Sequence, residues 1–157
     1  MARAREVDVD CKAPFGLAAA RVVEARANEV FEQSSGVLDV DDVERVHDMR
    51  VATRRLRAAL EIFEPCFPSK RRRKALKRVK RLADALGERR DLDVEIELLE
   101  SFADEIAERD RGALTAMVEE LRAQQCQANE RLAEFVRPKR LKKLRRRLGR
   151  LVKAVKT

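Results

Sequence analysis

Five glycines and four prolines are the only strong chain breakers in 157 residues, and most of them fall at helix-length intervals. An all-β chain needs turn residues far more often than that, so long loops and many-stranded folds are excluded. Ala, Leu, Arg, Glu and Lys dominate the stretches between breaks, which therefore read as helices. A first helix is expected from about Phe15 to Gln33, between Pro14 and the Ser34-Ser35-Gly36 stretch. Asp39, Asp41 and Asp42 are candidate N-caps for a second, which runs to about Glu64 and stops at Pro65. Ser69 is the expected cap of a third helix ending near Gly87, a favourable residue just past a helix end. Asp91 is expected to open a fourth segment reaching about Asp110, with a continuation past Gly112 to about Arg137. Pro138 starts a last helix to about Lys156. The fold class is all-α, in a single domain over residues 1–157, with 1–13 expected as a flexible lead-in.

Charge is segregated along this order. Nine bases and no acid lie between Ser69 and Arg81. From Asp91 to Glu120 acids dominate, and from Arg137 onward every charged side chain is basic. The net charge of +8 is therefore a small difference between large blocks, and it points to a polyanion partner. With 45% hydrophobic residues beside 41% charged, the chain has enough apolar surface to bury a core. No uncharged apolar stretch is long enough to span a membrane, and Met1–Asp10 has no apolar secretory core, so a cytoplasmic location is expected. Cys11, Cys66 and Cys126 are widely spaced and form no C-x-x-C, and there is a single histidine. No metal or cofactor is expected from that set, and the thiols read as reduced packing residues.

The second helix is the informative one. Val46, Met49, Thr53, Leu56, Leu60 and Phe63 form a core stripe, and Val51, Ala58 and Ile62 a second apolar strip. Between them His47, Arg50, Arg54 and Arg57 stack along one line at spacings of 3, 4 and 3. Two apolar flanks imply packing on both sides, which would put this line in a groove. Arginines there need anionic partners. Glu61 is an internal candidate, and a phosphate ligand an external one, since guanidinium grips phosphate oxygens in pairs. The bland alternative is a solvated basic face or an internal salt-bridge network with the acidic segment. Lys70, Lys74, Lys77, Arg78 and Arg81 flank the core face of the third helix, so antiparallel packing would bring two basic lines side by side.

The run Val46-His47-Asp48-Met49-Arg50-Val51-Ala52-Thr53-Arg54-Arg55-Leu56-Arg57-Ala58-Ala59-Leu60, with Phe63 after it, resembles the signature of the CHAD family, the conserved histidine α-helical domain. Leu86-Gly87-Glu88-Arg89-Arg90-Asp91-Leu92-Asp93-Val94 resembles that family's second motif. The resemblance extends more loosely from about Phe15 onward. It implies a helical fold whose basic groove binds inorganic polyphosphate, in proteins associated with polyphosphate granules. The positions it implicates are His47, Arg50, Arg54, Arg55 and Arg57, then Lys74, Lys77, Arg78 and Arg81, and Arg90 of the Arg90-Asp91 pair. A complete domain of that family resembles two four-helix halves. This sequence resembles the first, an antiparallel four-helix-bundle-like half, because no second His/Arg helix follows. A homodimer would then restore the groove.

Enzymatic readings find little support. Glu95-Ile96-Glu97 begins like the strand of a triphosphate-tunnel enzyme, but Leu99 stands where that strand needs Lys. No phosphate loop or catalytic triad is apparent. Binding of nucleic-acid backbone remains the alternative partner class, although the absence of Trp and Tyr argues against base stacking. A purely structural or interaction protein is the third reading.

Overall fold

A computed structural model describes residues 3–10 and 12–155 and folds them into five helices: α1 (Phe15–Glu32), α2 (Val43–Ile62), α3 (Ser69–Ser101), α4 (Arg111–Val136) and α5 (Pro138–Val152). Short 3-10 turns, Glu64–Cys66 and Glu108–Asp110, precede α3 and α4. No strand occurs among the described residues. Cys11, and Lys156 where the last helix is expected to end, lie outside them; α5 itself ends at Val152.

The core is built where the helical apolar stripes meet. Val23 and Val30 of α1, Met49, Leu56 and Leu60 of α2, Val79 and Leu86 of α3, Leu132 of α4, and Leu148 and Leu151 of α5 are all buried in one cluster. Each such side chain contributes about 1.5–3 kcal/mol through removal from water. α2 packs between α1 and α3, α5 covers α1 and α3, and α4 runs along α3. Arg145 of α5 lies over the Phe31 ring, 4.4 Å from its centroid, adding a cation–π contact to the α1–α5 seam.

The expected break at Gly87 and restart at Asp91 do not occur. α3 runs for 33 residues through both. The reason is that Leu82, Leu86, Arg89, Asp93 and Ile96 continue the 3-and-4 spacing of buried positions across the glycine. α4 lies antiparallel beside this stretch and covers it: Gln125 Nε2 donates to Asp93 Oδ1 at 2.7 Å, and Arg131 Nη2 donates to Glu88 Oε1 at 2.5 Å. Asp91 is exposed in mid-helix and caps nothing. Ser69 is not a cap either, since Pro68 occupies that position. Asp42 does sit at the N-cap of α2, but its Oδ2 accepts from Arg45 Nε at 2.9 Å instead of capping a backbone amide. The turn after α1 uses Gly36 at φ +71°, a left-handed conformation that favours glycine.

The lead-in is tied to α1. The Arg5 amide donates to Glu29 Oε1 at 2.7 Å, its Nη2 to Glu32 Oε1 at 2.8 Å, and Arg26 Nη2 to the Arg5 carbonyl at 2.7 Å. Arg26 also pairs with Glu29, which is itself buried. At the other extreme, the end of α3 and the start of α4 project as a two-helix hairpin, with Val94, Leu98, Phe102 and Met117 exposed. Among the described residues, no helix is long and apolar enough to cross a membrane.

Candidate anion-binding site

The core stripe of α2 behaves as its spacing dictates: Val46, Met49, Thr53, Leu56 and Leu60 are fully buried, and Phe63 is half-buried against Phe15. Thr53 is accommodated there because its Oγ1 donates to the Met49 carbonyl at 2.8 Å. The second apolar strip does not pack as expected. Val51 is buried, but Ala58 is exposed and Ile62 is 69% exposed. The inner side of α2 is completed by Ala52 and Ala59, which let a neighbouring helix approach closely. The basic line therefore borders the α2–α3 seam and opens to solvent on its far side. It is not enclosed between two packed flanks.

Along that seam the two helices are antiparallel. Arg50 lies over α3 at Gly87, where an added Cβ would meet its Nε at 4.0 Å. Further along, Glu61 Oε1 accepts from Arg57 Nε at 3.2 Å and pairs with Lys80 Nζ of α3 at 3.1 Å. The Lys80 ammonium holds the Glu61 carboxyl below its ordinary range, with Arg57 adding to this and slight burial working against it. His47 and Arg50 are half-buried, while Arg54 and Arg57 are exposed. Arg55 is half-buried and has a partner of its own. Arg90 is half-buried, with its Nη1 enclosed and unpaired among the described residues.

The cations of α3 divide between two sides of the helix. Lys80 meets α2, and Lys77 is exposed on the outer surface. Lys74, Arg78 and Arg81 instead line clefts towards α5. Lys74 joins Arg71, Lys143, Arg146, Arg147, Arg150 and Lys153 around a cleft of about 570 Å³. Arg78 and Arg81 border a smaller one, of about 200 Å³, with Arg140 and Glu134. The α5 cations are the functional candidates that the sequence reading passed over. Their signal was present: Leu141, Leu144, Leu148 and Leu151 form one apolar face, and the bases occupy the rest. What sequence does not supply is that this helix docks beside the start of α3.

Two other arginines have structural partners. Arg72 is buried, donates to the Leu60 carbonyl at 3.4 Å and pairs with Glu64, joining the start of α3 to the end of α2. Arg89 is fully buried between α3 and α4 and pairs with Asp93. Burial lowers its affinity for the proton, and the neighbouring Arg90 charge reinforces this. Cys66 is buried and Cys126 exposed, both as free thiols. Glu95 and Glu97 are exposed on α3, so the strand that a triphosphate-tunnel site needs is not formed. Among the described residues, no group of three or more His, Cys, Asp or Glu is placed to hold a metal ion.

A five-helix architecture, with the two motif segments paired across one seam, can be set beside known families. The model of the CHAD domain matches residues 21–157. The chain belongs to the CHAD family. The match takes in α2, α3 and α5 whole, so both basic surfaces of this CHAD domain lie within it. No curated protein sequence matches the chain significantly.

Proposed function

We propose that this CHAD domain binds inorganic polyphosphate, without catalysing its turnover, along the α2–α3 seam. The observation that carries the reading is the row of His47, Arg50, Arg54 and Arg57, extended across the seam by Lys80. Ten residues of helix separate its ends, or about 15 Å at 1.5 Å per residue, so an extended phosphate chain can meet each cation in turn. Lys77 and Arg90 of α3, implicated by the family resemblance, are included in the proposed site. Binding would proceed by charge neutralisation and counterion release, which makes affinity fall steeply with salt and rise with chain length. The row is open on one side, so a second copy of the chain closing over it is part of the proposal, as is a cytoplasmic location at polyphosphate granules.

The test is a competition between labelled long-chain polyphosphate and a DNA duplex at two salt concentrations. Preference for polyphosphate with a steep salt dependence is the expected result. Preference for DNA would overturn the reading in favour of a nucleic-acid binder, and no binding to either would favour a structural role. Light scattering with and without ligand reads the second copy: a stable monomer that still binds tightly removes it.

A further inference from the structure

We infer that the cleft between the start of α3 and α5 is a second anion site, separate from the α2 row, that takes a compact ligand carrying several clustered phosphates. This does not rest on the polyphosphate reading, and either can fail alone.

Seven cations from two helices line this cleft: Arg71 and Lys74 from α3, and Lys143, Arg146, Arg147, Arg150 and Lys153 from α5 and the turn after it. No carboxylate lines it, and among the described residues none of the seven is in an ion pair. That sets it apart from the α2 row and from the smaller neighbouring cleft. On the α2 row Glu61 already serves Arg57 and Lys80, and at the smaller neighbouring cleft Glu134 stands among the bases. Crowding like charges without a counter-charge is unfavourable, and a bound anion relieves it.

Shape distinguishes the two surfaces. The α2 row is linear and suits an extended chain. Here the cations form two facing walls around about 570 Å³, within the range of small-molecule sites. A ligand with phosphates on several sides can reach both walls at once. One wall residue is already fixed: Arg147 Nη1 donates to the Lys74 carbonyl at 3.3 Å, which ties α5 to α3 at the cleft. The same helix would suit a membrane surface by its amphipathic pattern, but its leucines Leu144, Leu148 and Leu151 are buried in the core and cannot insert.

Inositol hexakisphosphate serves as the probe, titrated calorimetrically into the full chain at low and moderate salt. One site per chain is expected. The variant R71A/R146A/R150A changes exposed side chains only, and its circular dichroism should match the parent. It should bind the probe at least about tenfold more weakly. The variant R54A/R57A should bind it within about threefold of the parent. Equal binding by the cleft variant, or equal loss in both variants, overturns the separate site. Tighter binding of linear tripolyphosphate than of the probe overturns the compact ligand. Displacement of the probe by duplex DNA at equal phosphate concentration would instead make the cleft a nucleic-acid contact.

Discussion

The two ends of α3 belong to one uninterrupted helix and live in different surroundings. The first half, from Ser69 to Leu86, is flanked by α2 and α5 and buries Arg72, Ala75, Val79, Leu82, Ala85 and Leu86. The last eleven residues, from Asp91 to Ser101, bury only Asp93 and Ile96, beside the sparsely covered start of α4. The well-packed half carries the cations and the projecting half carries the acids. If these cations hold an anion as proposed, they do so from the best-anchored stretch of backbone. The acids that lower the net charge are kept on the hairpin, where Arg122 Nη2 donates to Glu100 Oε1 at 2.5 Å.

The contact joining the halves is the sharpest place to test the contrast. Asp93→Ala should leave the Arg89 charge buried and unpaired, at a cost of about 3–5 kcal/mol in urea unfolding. Replacing both residues, as R89M/D93L, should recover most of that loss. If the single change costs under about 1 kcal/mol, the hairpin is not coupled to the core through this pair. Hydrogen exchange offers a complementary measure. Amides of 94–101 and 112–121 should exchange well before those of 75–86, because local opening is cheapest where little is buried. Uniform protection would erase the distinction.

Charge reversal at the anchored face comes next. R54E/R57E should weaken polyphosphate binding at least about tenfold at moderate salt while helicity stays at the parent level. Unchanged affinity would move the site to the α5 side of α3. A smaller effect of opposite sign is expected from Glu61→Gln, which frees Arg57 and Lys80: affinity should rise about two- to fivefold. Because the Glu61 carboxyl is held below its ordinary range in the folded protein, its pairing contributes above that range and is lost as pH falls through the lowered value. The gap between variant and parent should therefore persist through the ordinary carboxylate range and close only as pH falls through that lowered value. A gap that persists below it would mean that Glu61 acts other than through its charge. The smallest effect is at Gly87, inside the helix with only Arg50 near an added Cβ. Gly87→Ala should stabilise by about 0.5–1 kcal/mol in urea unfolding. A loss of stability there would mean that α3 needs glycine at this junction after all.

How much of this was legible follows from what each signal measures. The stripe from Val46 to Leu60 was readable because helical periodicity reports a buried face directly, and the all-α class followed from the same pattern. The break at Gly87 was misread because glycine and aspartate are strong local end signals. The competing evidence, Arg89 and Asp93 in register with Leu86 and Ile96, looked polar until Gln125 of α4 gave Asp93 a partner. The second strip of α2 failed because Ala58 and Ile62 are apolar without being covered. The α3–α5 cleft depends on contacts more than seventy residues apart, such as Arg147 to Lys74, and no local spacing reports those.

The length of α3 has an electrical consequence. Its 33 residues extend about 50 Å, with bases near one end and acids near the other. Such a rod is a permanent dipole held rigid by its own backbone. In the field of a long polyanion it experiences a torque before any contact forms. The basic end is turned toward the chain and the acidic end away from it. Segregated charge would thus orient an encounter with the proposed polyanion and raise its rate more than its final strength, an advantage that fades as salt shortens the reach of the field.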